Sequence, residues 1–282
     1  MQAGGARGEP GMIDLTFFRG IWNRINEDDV PALAAQLAYF FLLSLFPLLI
    51  FLVSLLPYLP ITKEDLITLL HDYAPGETAH FLSNSIEDVL RKDGALLSFG
   101  ILATLWSASN GINAVVRAFN KAYRVKETRP FLLARLMSII LTIAMIFVFI
   151  VALLLPVFGR EIGEFLFAQF GLKSEFLSFW NALRWFLSFF VLFTVFTGLY
   201  WIAPNKKLKC ISALPGAVFS TLGWVIVSLG FSYYVSNFGQ YAVIYGPIGG
   251  VIVLLIWLYL AGFITILGGE INAYFASKKE NC

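Results

Sequence analysis

Residues 210–269 read CISALPGAVFSTLGWVIVSLGFSYYVSNFGQYAVIYGPIGGVIVLLIWLYLAGFITILGG, sixty positions without an Asp, Glu, Lys or Arg. A helix that crosses a hydrocarbon core of about 30 Å needs about 20 predominantly apolar residues. The stretch therefore has room for two crossings, and the turn-like Asn237-Phe238-Gly239 and Tyr245-Gly246-Pro247 mark the interruption between them. A membrane β-barrel would alternate apolar and polar residues in segments of about ten. Val251-Ile252-Val253-Leu254-Leu255-Ile256 and Phe40-Phe41-Leu42-Leu43 do not alternate. The pattern predicts an all-α polytopic membrane protein.

Four further windows lack charge: Val30–Thr62, Gly94–Val116, Leu136–Gly159 and Trp185–Asn205. Each has room for one span, so six transmembrane helices are expected near 33–56, 95–116, 136–158, 180–202, 212–235 and 247–270. Composition agrees. Charged residues make up 13% of the 282, and mean hydropathy is +0.77, where a soluble domain carries roughly 25% charged residues. A water-soluble enzyme, a disordered tail, a secreted disulfide scaffold and a nucleic-acid-binding domain are excluded.

The basic residues set the expected orientation, because Lys and Arg accumulate in cytoplasmic connections. The N-terminal tail, 117–135, 206–209 and the C-terminal tail together hold 14 Lys/Arg, and the alternate connections hold 6. Both termini are expected in the cytoplasm. The expected domains are a cytoplasmic tail with an interfacial helix over 1–30, a six-helix domain over 31–275 and a cytoplasmic tail over 276–282. The first apolar run is too long for a signal-peptide core and follows acidic residues, unlike a cleavable signal.

Outside the spans, Leu15, Phe18, Trp22 and Ile25 recur at helical spacing within 14–26. This predicts an amphipathic helix, lying either in the headgroup layer or against the protein's own cytoplasmic face. Asp28-Asp29 with Pro31 reads as the start of the first span. In the outer loop 58–93, Thr62 and Asp65 have capping-box spacing. Leu82, Ile86, Val89 and Leu90 line a second helical face, so two short capping helices are expected. His71 and His80 lie in this loop at no standard metal-ligand spacing, and read as solvated. Cys210 and Cys282 lie on the expected cytoplasmic side, and no disulfide is expected. No metal site and no cofactor is expected.

Polar groups at membrane depth are costly and so point to candidate sites. At about 100° per residue, Asn110, Asn113, Arg117, Asn120, Lys121 and Arg124 share one arc of the second span. Ile112, Val115, Val116, Phe119 and Tyr123 share the other. The polar stripe either lines a cavity or attracts anionic headgroups, or it anchors the span and bonds to neighbouring helices. Glu270 in Gly268-Gly269-Glu270-Ile271-Asn272 and Gln36 in the first span lie at similar depth. Gln36, Asn110, Asn113, Arg117, Asn120 and Glu270 are the cavity candidates, and Lys121 and Arg124 the headgroup candidates. Arg117 is the expected counter-ion of Glu270, in a structural ion pair or a proton-coupled site. Pro47 falls mid-span, Pro215-Gly216 opens the fifth span, and Gly246–Gly250 allows either close helix approach or a broken helix.

Catalytic motifs are absent: no phosphate loop, no His-Glu-x-x-His, no Cys-x-x-Cys, and no carboxylate cluster fit for a metal-dependent nuclease. No catalytic residue is assigned, and an enzyme is not expected.

Three stretches carry a resemblance: Ala32–Phe40 running into Leu45-Phe46-Pro47; Leu105–Gly111 with Phe119-Asn120-Lys121-Ala122-Tyr123; and Tyr245–Gly250 through Trp257-Leu258-Tyr259 to Leu267–Ala273. They resemble, in matching order over nearly the whole chain after residue 15, the YihY/BrkB family of bacterial inner-membrane proteins. Members often carry Arg at the Asn110 position, so the resemblance brings no cationic role to Asn110. It implies a protein once labelled ribonuclease BN in error, also called a virulence factor, and linked to envelope lipid transport. The expected function is a transporter or translocator of envelope lipids or another amphipathic, anionic substrate. The alternative is a scaffold that docks a periplasmic partner through 58–93. Membrane lipids are the expected partners, with no nucleic acid.

Overall fold

A computed structural model describes residues 15–58, 93–146, 174–238 and 248–280, and these residues are helical with short connections. In chain order the helices are α1 (Leu15–Glu27), α2 (Val30–Leu55), α3 (Gly94–Ala122), α4 (Phe131–Ile146), α5 (Ser174–Ile202), α6 (Leu214–Phe238) and α7 (Ile248–Glu280). Among the described residues, four stretches are long and apolar enough to cross a membrane: Val30–Leu55, Gly94–Ala122, Cys210–Asn237 and Ile248–Lys278. Shorter apolar helices, Phe131–Ile146 and Phe186–Ile202, stand where the third and fourth spans are expected. The remainder of the expected third span, the 58–93 helices beyond Tyr58, both histidines and Gly246-Pro247 lie outside the described residues.

Side-chain exposure follows the membrane logic. Leu43, Phe46, Leu49 and Leu52 on α2, Phe99 and Leu102 on α3, and Ile226 and Leu229 on α6 all face outward. Rows of exposed large apolar side chains are out of place in water and suit a hydrocarbon solvent. Inside, where lipid supplies no hydrophobic drive between helices, small and hydrogen-bonding residues dominate the contacts. Ser109, Ser138, Ser220, Thr221, Glu270 and Asn272 are fully buried among Ala34, Ala118, Ala203 and Ala217.

Helix α2 packs mainly on α3 and then on α7, while α7 also packs along α6. Pro47 is accommodated within α2. The Gly268–Asn272 motif explains how α7 sits so closely. A Cβ at Gly268 would strike the Tyr200 hydroxyl and Ser220, and one at Gly269 would lie 2.6 Å from the Phe119 ring. Gly216 on α6 faces Gly268 and Asn272 as tightly. Close helix approach therefore occurs here. At the opposite end of α7, Gly249 is buried, and a Cβ at Gly250 would meet nothing within 4 Å among the described residues.

Helix α1 packs against the protein itself. Phe17 stacks on Phe275 and meets the edge of Tyr274, Ile21 is buried, and Gly20 lets Tyr274 approach its backbone. Phe18 and Trp22, 62% and 64% exposed, point away. One side of α1 thus docks on α7, and the other offers aromatic rings of the kind found at membrane–water interfaces.

Candidate functional site

The polar residues gather at the end of the bundle that carries α1 and the connections 123–130 and 203–209. Two turns there use left-handed backbone at non-glycine residues, Asp29 (φ 53°) and Arg124 (φ 54°). Arg124 pairs with Glu27 at 3.0 Å, and Lys121 Nζ pairs with Asp29 at 3.3 Å while donating to the Asp28 carbonyl at 2.7 Å. These ties hold the α1–α2 turn against the end of α3. The headgroup candidates Lys121 and Arg124 therefore each have an acidic partner.

Asn120, buried at the end of α3, is a clamp between two connections. Its Nδ2 donates to Glu127 at 2.9 Å, and its Oδ1 accepts from the Asn205 backbone N–H at 2.7 Å. Asn205 Nδ2 donates in turn to the Lys126 carbonyl and to Thr128, and Arg129 donates to the carbonyls of Ala203 and Pro204. The result is a cross-bonded plate at one end of the bundle.

Farther along the stripe, Asn110 Oδ1 accepts from Arg135 Nη1 at 2.7 Å. Arg135 also donates to the Trp106 carbonyl at 3.2 Å and lies over the Trp106 ring, 3.9 Å from its centroid. Asn113 is half-buried and makes no side-chain hydrogen bond among the described residues. Gln36 and Arg117 are exposed. The cavity candidates are thus distributed between a loop clamp, a helix–helix contact and the outer surface.

Glu270 is fully buried, and its counter-ion is Arg24 rather than the expected Arg117. Arg24 Nη1 reaches Glu270 Oε2 at 3.4 Å and the Ala122 carbonyl at 3.1 Å, while Nη2 donates to Ser277. The physical reason is placement: docking of α1 on α7 brings Arg24 inward, whereas Arg117 faces out of the bundle. Around this pair, Glu270 Oε1, Asp28 Oδ2 and the Tyr123 hydroxyl are buried without hydrogen-bond partners among the described residues. The Tyr123 phenol, just past the end of α3, is raised above its ordinary value by burial and then by the nearby Glu270 charge. Sequence periodicity placed Tyr123 on the apolar arc, read Asp28 only as part of the start of the first span, and assigned Arg24 and Arg135 no role.

A separate cavity of about 380 Å³ lies between α4 and α5. Among the described residues it is lined by apolar groups, including Leu141, Met145, Phe190, Gly198 and Ile202, with Thr194 the one hydroxyl. Ile202 ends α5, and the next residues lead into Lys206, Lys207 and Lys209. Lys207 and Lys209 are exposed. A volume of this size falls in the range of small-molecule sites.

Outward apolar helices, an inward polar lattice and a polar end plate together define a polytopic α-helical membrane protein. The chain belongs to the family described as Virulence factor BrkB, whose model matches residues 21–281. A Bacillus subtilis (strain 168) protein, described as the ribonuclease-like protein YfkH, is 51% identical over 94% of this chain and 97% of its own. A UPF0761 membrane protein of Aliivibrio salmonicida (strain LFI1238) is 29% identical over 93% of this chain and 83% of its own. One from Vibrio vulnificus (strain YJ016) is 27% identical over 94% and 84%. No solved structure matches. The BrkB and UPF0761 descriptions denote membrane proteins and a virulence factor, not a known enzyme family.

Proposed function

We propose that this protein moves an anionic amphipathic lipid of the bacterial envelope across or along the inner membrane, with both termini in the cytoplasm. The observation that carries this reading is the apolar cavity between α4 and α5. An apolar groove open at the side of a membrane bundle is suited to an acyl chain and offers a hydrophilic solute only the Thr194 hydroxyl. Lys207 and Lys209, exposed shortly beyond the Ile202 end of the cavity, carry charge suited to a phosphate headgroup, since Lys/Arg clusters beside a span attract anionic lipids. Arg117, exposed and without an ion pair among the described residues, is a further headgroup contact. The expected orientation from the Lys/Arg count puts this end on the cytoplasmic side.

The test is a dithionite-quenching assay with a fluorescent phosphatidylglycerol in proteoliposomes. Wild-type protein should accelerate exchange between leaflets. Gly198→Phe fills the cavity from α5, where a Cβ meets nothing within 4 Å, and should slow exchange while preserving the elution profile. A Gly198→Phe protein as fast as wild type refutes the assignment of the cavity. Wild-type vesicles no faster than protein-free ones, for anionic and zwitterionic lipids alike, refute lipid translocation.

A further inference from the structure

The junction of α1, α3 and α7 contains more buried acceptors than the protein satisfies. Glu270 (0% exposed), Asp28 (7%) and Tyr123 (8%) each present a buried oxygen with no hydrogen-bond partner. They come from three parts of the fold: α7, the α1–α2 turn and the end of α3. The Asp28 carboxyl lies near enough to Glu270 to act on it both as a charge and as a hydrogen-bonding group, and Tyr123 lies within the field of Glu270.

The other charged and titratable groups around this junction are accounted for. Arg24 divides its donors between Glu270, the Ala122 carbonyl and Ser277. Lys121 reaches only the main-chain oxygen of Asp28 and spends its charge on the Asp29 carboxylate. Lys206 lies over the outer face of the Tyr123 ring, 5.9 Å from its centroid, and Tyr274 lies 6.0 Å from the Arg24 guanidinium. Two carboxyls therefore meet at this junction, and the one guanidinium there is bound to Glu270. An uncompensated buried charge is strongly destabilising, and buried oxygens without hydrogen-bond partners are rare in native proteins.

We propose that Asp28, Tyr123 and Glu270 form a buried site for one monovalent cation, a proton or a sodium ion, bound beside Arg24. A single positive charge neutralises the excess carboxylate. A proton does so by bridging Asp28 Oδ2 and Glu270 Oε1, and a sodium ion does so by taking the Tyr123 hydroxyl oxygen as a third ligand beside those two. Because Arg24 and Asp28 flank the end of α1, occupancy fixes α1 against α7. The site is independent of the cavity between α4 and α5, so its failure leaves the lipid reading untouched.

The experiment is thermal denaturation of the full chain in detergent, comparing wild type with Glu270→Gln, Asp28→Asn and Tyr123→Phe. At pH 8, sodium chloride is compared with N-methylglucamine chloride at equal ionic strength; in the sodium-free buffer, pH 8 is compared with pH 5.5. For a cation at ten times its dissociation constant, the wild-type midpoint should rise by about 3 °C or more. A rise with sodium at pH 8 identifies sodium, and a rise with acid in its absence identifies the proton. Glu270→Gln, which mimics a neutralised carboxyl, should lose that response. Wild type and Glu270→Gln responding equally to both sodium and pH overturns the proposal. Should Glu270→Gln fail to fold, Asp28→Asn is judged by the same criterion, and Tyr123→Phe should weaken the sodium response but spare the proton response.

Discussion

Replacing Asn272 by alanine tests the idea that buried amides hold α6 to α7. Asn272 Oδ1 accepts from the Gly216 backbone N–H at 2.7 Å, and its Nδ2 donates to the Ala213 carbonyl at 3.1 Å, all within the buried interior. Gly216 is in the first turn of α6, where an N–H has no partner in its own helix, so Asn272 serves as a cap delivered from another span. Hydrogen bonds within membrane proteins average about 0.6 kcal/mol and reach about 1.7. The alanine variant also leaves a buried N–H and C=O unsatisfied, at about 1–3 kcal/mol. The combined loss is about 2–4 kcal/mol. At about 2–4 °C per kcal/mol for a chain near this size, the midpoint should fall by about 4–16 °C. The assay is a melting curve in detergent followed by size-exclusion fluorescence. Asn272→Leu, which restores volume without polar atoms, should melt no higher than the alanine variant. Asn113→Ala, a half-buried Asn with no bond among the described residues, should melt with the wild type. An Asn272→Ala protein that also melts with the wild type refutes the capping role.

Three further outcomes follow from individual contacts. Gly20→Leu should lift α1 from α7, because even a Cβ there would lie 2.6 Å from the Tyr274 ring; faster tryptic cleavage at Arg19 and Arg24 is the readout, and unchanged cleavage counts against the docking. Tyr200→Phe removes hydroxyl contacts with Ser220 and the Thr265 carbonyl. It should cost about 1–2 kcal/mol, less than Asn272→Ala because Ser220 keeps its bond to the Ile264 carbonyl. Arg135→Lys retains the charge but loses the planar stacking on Trp106 and the paired donors to Asn110 and the Trp106 carbonyl. Its fluorescence should differ from wild type, and the difference should vanish in a Trp106→Phe background.

The class of fold was legible because the membrane imposes it residue by residue. Uncharged runs of spanning length permit little besides helices, and α2, α3, α6 and α7 stand where those runs do. The arc of Ile112, Val115, Val116 and Phe119 is buried as its period requires. Periodicity also singled out Asn110 and Asn120, as cavity candidates on one polar stripe. It could not name the partners, since Arg135, Glu127 and Asn205 come from elements whose rotation and tilt are set by packing.

The sequence by itself determined which segments leave water, and it singled out Glu270 as a rare charge near membrane depth. That much depends on local composition, because transfer into hydrocarbon is a property of each segment alone. Only the tertiary structure decided what Glu270 faces. Gly268 and Gly269 let α7 close on Tyr200, Ser220 and Phe119. Phe17 and Ile21 seat α1 beside it, and that docking brings Arg24 to a carboxylate 246 positions away. An ion pair between residues so distant depends on how helices pack against each other, and no periodicity within one helix contains that information.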